Sequence, residues 1–302
     1  MKFSNGYWMK RDGVTVFSPK EVRDIKITEK SVVLYVAPWN VVQRGMTLTG
    51  PLLTMTFTSP QPGIMTFKNE HFIGGVQNKA QFEINNADCP LETTKKDNML
   101  TIKSGLMKAE IVLDNFAVTF SYNGRYLTST GNRKLGYAQT PEGNYMLEQL
   151  DMSVGERVYG LGERFTPFVK NGQIVDIWNE DGGTASEQAY KNIPFYLSSN
   201  NYGLFVDHTE KVSFEIASEV VSRIQFSVPG EGLKYHIIGG DTRKDILSAY
   251  TNLTGRPALP PAWSMGLWLT TSFTTDYDEK TVTSFVDGMA ERNIPLHVFH
   301  YD

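Results

Sequence analysis

Two aspartates are the residues of this chain best suited to bind a polar ligand. Asp181 lies in a glycine-rich polar loop that runs from Trp178 to Tyr190, with an aromatic residue at each end. A carboxylate in such a loop can accept hydrogen bonds from sugar hydroxyls, and Trp178 can stack on the sugar or support the loop. Asp302 directly follows an apolar segment, residues 296–301, whose pattern predicts a strand.

Two glycines and an acidic-basic pair precede the loop, in the segment Val158-Tyr-Gly-Leu-Gly-Glu-Arg-Phe165. The glycines can serve turns that need positive φ, and Glu163 and Arg164 can form an ordinary structural ion pair. The same segment can instead shape the base of a loop at the rim of a sugar site. The residues alone leave both interpretations open.

The C-terminal part predicts a strand at 262–270, an amphipathic helix at 278–292 and a strand at 296–301. Asp278 is a suitable N-cap for the helix. Two parallel strands joined by one helix open a larger α/β sheet, which is buried on both faces. In a (β/α)₈ barrel the catalytic face lies at the carboxyl ends of the strands. This rule would place Asp302 at the catalytic face.

Two aromatic residues near the end of the first of these strands are further candidates. Trp268 and Phe273 could wall a pocket on the same face as Asp302. Trp268 is equally compatible with ordinary barrel packing.

From residue 14 to about residue 238, apolar and polar residues alternate in short runs that are separated by turn residues. Strands are predicted at 31–35, 52–57, 63–67, 99–103, 109–113, 117–122, 157–161, 195–198, 203–206, 212–216, 224–228 and 233–238. Asn123-Gly124 predicts a tight hairpin after the strand at 117–122. Many short strands with no helix between them indicate a sandwich of antiparallel sheets.

The pattern changes near residue 241. Residues 241–250 predict a helix with Asp241 as its candidate N-cap, and residues 255–261 form a rigid Pro-rich segment. We predict a mainly β chain: an N-terminal antiparallel β-sandwich domain (1–240), a helix and Pro-rich linker (241–261), and the first β-α-β unit of an incomplete (β/α)₈ barrel (262–302). A complete barrel needs about 250 residues, so its remaining strands would lie outside this sequence. The alternative is a two-strand cap that docks on the sandwich.

Composition excludes several classes of function. The formal net charge of −4 and the mixed distribution of charges argue against nucleic-acid and membrane partners. Cys89 is the only cysteine, so the chain has no internal disulfide or Cys-based metal cluster, and the five histidines lack ligand spacing. We expect no metal and no cofactor. The polar N-terminal segment and the lack of a long apolar run predict a cytoplasmic protein.

Four motifs resemble glycoside hydrolase family 31, and its bacterial α-xylosidases most closely. They are Tyr159-Gly-Leu-Gly-Glu-Arg-Phe165, Gly255-Arg-Pro-Ala-Leu-Pro-Pro-Ala-Trp263, Gly266-Leu-Trp-Leu-Thr-Thr-Ser-Phe273 and Ile294-Pro-Leu-His-Val-Phe-His-Tyr-Asp302. The resemblance implies a mutarotase-like sandwich followed by a barrel. It also implies that Asp302 binds substrate, that Asp181 approaches the −1 subsite and that Phe273 lines the aglycone side.

The family's retaining mechanism uses two aspartates, and the resemblance places neither of them in this chain. It implies an α-linked xylosyl or glucosyl saccharide as the partner, bound by a chain that is inactive alone, with a homo-oligomer possible. Two alternatives stay open: a free-standing carbohydrate-binding module, and a mutarotase-like isomerase. The isomerase would need a His/Glu pair over the sugar ring, and no glutamate partner is evident for His71, His208 or His236.

Overall fold

A computed structural model describes residues 1–6, 9–48, 50–72, 80–180, 186–271 and 277–301 of the chain. The chain divides into two units, Met1–Gly255 and Arg256–Asp302. The division falls at the start of the Pro-rich segment. No helix among the described residues has both the length and the apolar character that crossing a membrane requires.

The regular secondary structure of the first unit consists mainly of strands, and one α-helix follows them. The elements are β1 (Thr15–Phe17), β2 (Glu21–Ile27), β3 (Val32–Ala37), β4 (Leu53–Thr58), β5 (Ile64–Glu70), β6 (Glu92–Lys96), β7 (Met99–Ser104), β8 (Met107–Val112), β9 (Ala117–Tyr122), β10 (Arg125–Gly131), β11 (Leu135–Thr140), β12 (Gly143–Asp151), β13 (Val158–Gly160), β14 (Ile174–Ile177), β15 (Phe195–Ser198), β16 (Tyr202–Val206), β17 (Val212–Ile216), β18 (Arg223–Pro229), β19 (Gly232–Gly239) and α1 (Arg243–Thr254).

The strands of this unit form three antiparallel sheets. In the described residues their orders are β13-β15-β16-β19-β5-β4-β3-β2, β1-β11-β12-β18-β17-β14 and β10-β9-β8-β7-β6. The eight-stranded sheet faces the other two, since β5 contacts β8 and β19 contacts β12 and β18. A continuous core of aliphatic and aromatic side chains lies between the sheets. The predicted antiparallel sandwich is confirmed.

The predicted hairpin between β9 and β10 is present. Asn123 and Gly124 have φ of 48° and 76°, the left-handed conformation that a two-residue hairpin loop requires at both positions. Six strands escaped prediction: β1, β2, β6, β11, β12 and β14. Among the described residues, β1, β2 and β6 lie at the edges of their sheets. Strand β6, for example, is a charged edge strand, and its charges prevent further pairing.

Strand β12 escaped prediction because it buries polar residues. Glu148 is fully buried and contacts side chains from both of the other sheets. One carboxyl oxygen is bonded to the Thr130 hydroxyl on β10, and the other lies 3.1 Å from the Tyr235 hydroxyl on β19. Burial raises the pKa of Glu148 to about 8, although these two hydrogen bonds oppose the shift.

Helix α1 covers part of the outer face of the eight-stranded sheet. Its N-cap is Thr242 and not the predicted Asp241, because Thr242 and Asp245 form a reciprocal capping box. Ile246 and Leu253 are buried against apolar side chains of this face. The helix is therefore packed on the sandwich.

The second unit contains β20 (Trp268–Leu269), α2 (Glu279–Glu291) and β21 (Val298–Phe299), and the two strands pair in parallel. The predicted β-α-β order and the Asp278 N-cap are confirmed. The strands are much shorter than the predicted segments 262–270 and 296–301. Ala262–Met265, inside the first predicted segment, forms a 3₁₀ helix. Among the described residues each strand has one neighbour, and the two strands pair over two residue pairs.

Replacing Glu148 with glutamine should change how the stability of the sandwich depends on pH. The carboxyl has a pKa of about 8 when folded and about 4.3 in an unfolded chain. Between these values the folded state keeps a proton that the unfolded state has lost. The free energy of unfolding of the wild type should therefore fall as pH rises through this window, by on the order of a few kcal/mol.

Glutamine preserves the shape of the side chain and has no proton to lose. Urea unfolding followed by circular dichroism should show Glu148→Gln gaining stability relative to the wild type between about pH 5 and about pH 8. Glu110→Gln, at a partly exposed position, serves as the control. Equal pH slopes for wild type and Glu148→Gln would contradict the assignment.

Candidate functional site

The structure describes one of the four predicted substrate-binding residues. Asp181, Phe273 and Asp302 lie outside the described residues. Trp268 begins β20 and is about half exposed. Its indole nitrogen donates a hydrogen bond to the Ser264 carbonyl (2.9 Å). Much of the ring surface is accessible.

The base of the loop that contains Asp181 begins with a run of three residues at positive φ. Gly160, Leu161 and Gly162 have φ of 103°, 67° and 91°. The Leu161 amide donates to the Phe195 carbonyl (2.9 Å), so the turn lies directly against the strand that leaves the loop. A Cβ on Gly160 would come within 2.8 Å of that carbonyl oxygen, and one on Gly162 would clash with the Lys191 carbonyl. Both glycines are therefore needed for close backbone approach.

Arg164 joins this turn to the loop through its guanidinium group. The guanidinium donates to the carbonyl oxygens of Leu161 (3.1 Å), Asp176 (2.9 Å) and Glu187 (2.9 Å). It also donates to the side-chain oxygen of Asn192. Burial lowers the pKa of Arg164, and the nearby carboxylates oppose this shift. A rigid, planar guanidinium can serve several acceptors at once in a way that an ammonium group cannot.

Asn192 joins the two arms of the loop to each other. Its amide nitrogen contacts the carbonyl oxygens of Trp178 (2.8 Å) and Ala189 (2.8 Å) and the side-chain oxygen of Asn179 (2.9 Å). The Glu180 amide also donates to the Ala189 carbonyl (3.2 Å). These contacts fix both ends of the segment that carries Asp181.

We call the side chains of Arg164 and Asn192 the loop clamp. In the part of the chain that the structure describes, the hydrogen bonds of Arg164 go to carbonyl oxygens and to Asn192, and none goes to Glu163. Arg164 therefore binds backbone carbonyls and Asn192, and it does not form the ion pair with Glu163 that the sequence had suggested as one interpretation. Sequence reasoning missed the clamp because its acceptors are backbone groups, which leave no signature in residue type.

Three aromatic side chains next to the clamp are exposed. Phe165, Trp178 and Tyr190 have 65%, 52% and 66% of their surfaces accessible. Exposed aromatic rings near a polar loop are typical of ligand-binding surfaces. Trp178, at one end of the loop, therefore has an accessible ring.

All three described histidines of the sandwich have a carboxylate within 4 Å, and for His71 and His208 it belongs to a glutamate, contrary to the sequence-based expectation. His71 Nδ1 lies 3.1 Å from a carboxylate oxygen of Glu231, and His236 Nε2 lies 3.3 Å from one of Asp207. His208 Nε2 lies 3.7 Å from a carboxylate oxygen of Glu210, two residues away, while the partners of His71 and His236 are distant in sequence. The His71 ring also stacks on Tyr137, 4.1 Å between centroids. Within the described ranges, no three His, Cys, Asp or Glu side chains are grouped so that they could hold a metal ion.

Comparison with known families accounts for both units. Residues 54–215 match the glycosyl hydrolase 31 N-terminal galactose mutarotase-like domain, and residues 257–302 match the glycosyl hydrolases family 31 TIM-barrel domain. The chain belongs to glycosyl hydrolase family 31. The second match begins inside the Pro-rich segment, and it identifies the short β20-α2-β21 unit as the start of the barrel.

Two relatives that match the chain over its whole length are α-xylosidases. The α-xylosidase XylQ of Lactiplantibacillus pentosus is 49% identical, and the match covers all of this chain and 40% of that protein. An α-xylosidase of Emericella nidulans is 45% identical over all of this chain and 42% of its own length. The family 31 chain therefore spans about 40% of the length of these relatives.

Solved structures of the family share the fold. A Flavobacterium johnsoniae family 31 dextranase complexed with glucose superposes with a TM-score of 0.78 at 20% identity, over 94% of this chain and 34% of that one. A family 31 α-xylosidase from a soil metagenome, complexed with xylose, gives 0.72 at 15% identity, over 92% of this chain and 41% of that one. At these identities the likeness concerns the fold alone.

Gly162→Ala should destabilise the sandwich much more than Gly172→Ala. Both glycines have positive φ, 91° and 82°, but only an added Cβ at Gly162 meets the backbone. Alanine at Gly172 should cost about 1–2 kcal/mol from backbone conformation, while Gly162 adds the clash. Urea unfolding of both variants measures the difference. Equal losses would show that close approach to the Lys191 carbonyl does not matter.

Arg164→Lys should loosen the loop base without unfolding the sandwich. Lysine cannot bridge the carbonyls of Asp176 and Glu187, so amides of residues 187–192 should exchange hydrogen faster, by about tenfold or more. Arg125→Lys is the matched control, because Arg125 also donates to carbonyls, those of Asn200, Asn201 and Gly240, at another corner. Unchanged exchange at 187–192 in Arg164→Lys would argue against the clamp.

Proposed function

We propose that this family 31 chain forms the sandwich and the first barrel unit of a retaining α-xylosidase, and that it supplies part of the −1 subsite. The strongest support is the 49% identity to an α-xylosidase over the whole chain. The proposed substrates are α-xylosides or xyloglucan-derived oligosaccharides. The partner is thus an α-linked xylosyl or glucosyl saccharide.

The loop clamp supports a binding role for the sandwich loop. Arg164 and Asn192 fix both arms of the segment that carries Asp181. A loop anchored in this way loses little conformational entropy when it binds a sugar, which favours affinity. We assign Asp181 as an acceptor for sugar hydroxyls and Trp178 as an aromatic neighbour of the sugar.

The barrel unit supports a second set of contacts. Strands β20 and β21 are parallel, and the catalytic face of a barrel lies at the carboxyl ends of such strands. Asp302 follows β21 and is assigned to substrate binding, with Phe273 and Trp268 as aromatic neighbours of the substrate. Hydrolysis with retention needs a nucleophile and a general acid/base about 5–5.5 Å apart. We assign neither role to Asp181 or Asp302, so both catalytic carboxylates would come from barrel strands beyond this sequence.

The lack of an internal disulfide fits an enzyme of the reducing cytoplasm. Cys89, the only cysteine, is a free thiol. Two-carboxylate glycoside hydrolysis needs no cofactor. We therefore place the proposed activity in the cytoplasm, without a cofactor.

A chimera tests this function directly. This chain would replace the matching 40% of XylQ, and the product would be assayed on p-nitrophenyl α-xyloside. We expect turnover by the chimera and none by the isolated chain, because the catalytic pair would come from the XylQ part. Asp181→Asn and Asp302→Asn in the chimera should each lower kcat/KM by about 10- to 100-fold, the effect of one charged hydrogen bond.

The matched control is Asp287→Asn, on helix α2 of the same barrel unit. It removes the same charge without touching the proposed site. A folded chimera that lacks α-xyloside turnover would contradict the proposed function. Turnover by the isolated chain, in material free of host glycosidases, would contradict the assignment of the catalytic pair.

A further inference from the structure

The outer face of the eight-stranded sheet carries a polar pocket of about 400 Å³. Because side chains alternate along a strand, Phe67 and Tyr235 point into the core while Lys68 and Lys234 point outward. Glu70 joins them on the same face. We define the outer-face pocket by five of its lining residues: Lys68, Glu70, Phe82, Asp207 and Lys234.

The floor of the outer-face pocket places two like charges opposite each other. Lys68 and Lys234 are direct partners in the register of β5 and β19. Like charges in this position destabilise a sheet unless they are neutralised. Here Lys68 lies 2.8 Å from Glu70, and Lys234 lies 2.6 Å from Asp207. The floor is therefore close to neutral and presents ammonium donors beside carboxylate acceptors.

The buried His236 contacts one of these carboxylates, that of Asp207. His236 is fully buried, and its two ring nitrogens contact the Thr66 hydroxyl (2.8 Å) and Asp207 Oδ2 (3.3 Å). Burial lowers the pKa of His236, so the neutral ring can donate from Nε2 to Asp207 and accept from Thr66 at Nδ1. Among the described residues, the side-chain contacts of Asp207 to His236 and Lys234 both fall on Oδ2.

Phe82 supplies an aromatic wall. Its ring is 40% exposed and lies 5.8 Å from the ring of Phe205, which stacks on His236. The Thr209 hydroxyl donates to the Ala80 carbonyl (2.7 Å) and so ties the segment of Phe82 to the corner next to Asp207. Pockets for small ligands combine such a ring with a few well-placed polar groups.

We propose that the outer-face pocket binds a neutral saccharide unit. Glu70 and Asp207 balance the two lysines, and Glu231 also lines the pocket, so no positive charge is left over to attract an anion. Ammonium groups and carboxylates side by side match the adjacent hydroxyls of a sugar. Phe82 can pack against the apolar face of the sugar ring. The volume suits one or two sugar units. This inference goes beyond the proposed function, because it needs neither a barrel nor the loop clamp.

Titration of the ¹⁵N-labelled chain with D-xylose and with isoprimeverose tests the proposal. In two-dimensional NMR spectra we expect progressive shifts at the amides of Lys68, Phe82, Asp207 and Lys234. Asp207→Asn and Glu70→Gln should each weaken binding by about tenfold, through loss of a charged acceptor. Phe82→Ala should weaken sugar binding as well. Because Phe82 is 40% exposed, this variant should fold, and it tests the pocket even if Asp207→Asn or Glu70→Gln does not fold.

Glu110→Gln is the matched control. Lys108 and Glu110 form the same kind of pair, two residues apart on one strand (2.9 Å), in the five-stranded sheet. This variant should bind as the wild type does. The proposal is overturned if neither sugar causes shifts at these amides, if shifts appear only within residues 158–192, if inorganic phosphate alone produces them, or if Glu70→Gln and Glu110→Gln behave alike. Shifts confined to residues 158–192 would still agree with the proposed function, which separates the two ideas.

Discussion

Burial of the inner face of the eight-stranded sheet is the interaction on which the other features depend. Its apolar side chains fill one continuous core with those of the two smaller sheets. Since side chains alternate along each strand, fixing the inner face also fixes what points outward. The same sheet ends in β13 and β15, which border the loop base, and it carries α1 and the outer-face pocket on its other side.

Buried polar groups set the register of this packing. Glu148 on β12 reaches Thr130 on β10 and Tyr235 on β19, so one carboxyl contacts all three sheets. A shift of any of these strands by one residue would leave the carboxyl without partners in an apolar interior, which is costly. His236 and Asp207 repeat the pattern on the outer face. Buried polar contacts of this kind add little net stability but penalise arrangements that leave their groups without partners.

The sequence predicted the elements that obey simple periodicity and missed those that do not. Strands β9, β15 and β17 were predicted with their observed bounds, because their alternation and turn residues are regular. Strand β12 was missed because Glu148 and Gln149 are buried in it, and β6 was missed because an edge strand needs no apolar face. Asp241 was chosen as the α1 cap, since a sequence cannot show which of two adjacent candidates closes a capping box.

The candidate functional sites also contain features that the sequence could reveal and features that it could not. The glycines of the Tyr159–Phe165 motif could be recognised, and their need for positive φ is now evident. The acceptors of Arg164 could not be, because they are carbonyl groups brought together by folding. The carboxylate partners of His71 and His236 were equally hidden, since pairing across a sheet joins residues far apart in the chain.

The Gly160-Leu161-Gly162 turn also limits where this scaffold can diversify. Its backbone lies so close to the Lys191 and Phe195 carbonyls that side chains cannot be added there. Asn192 holds the two arms of the loop at Trp178 and Ala189. Changes of sequence between these two arms would leave the described contacts of the turn and of Asn192 in place. A protein engineer could therefore graft loop tips from other members of the family onto this frame, with the cut points at the clamped arms.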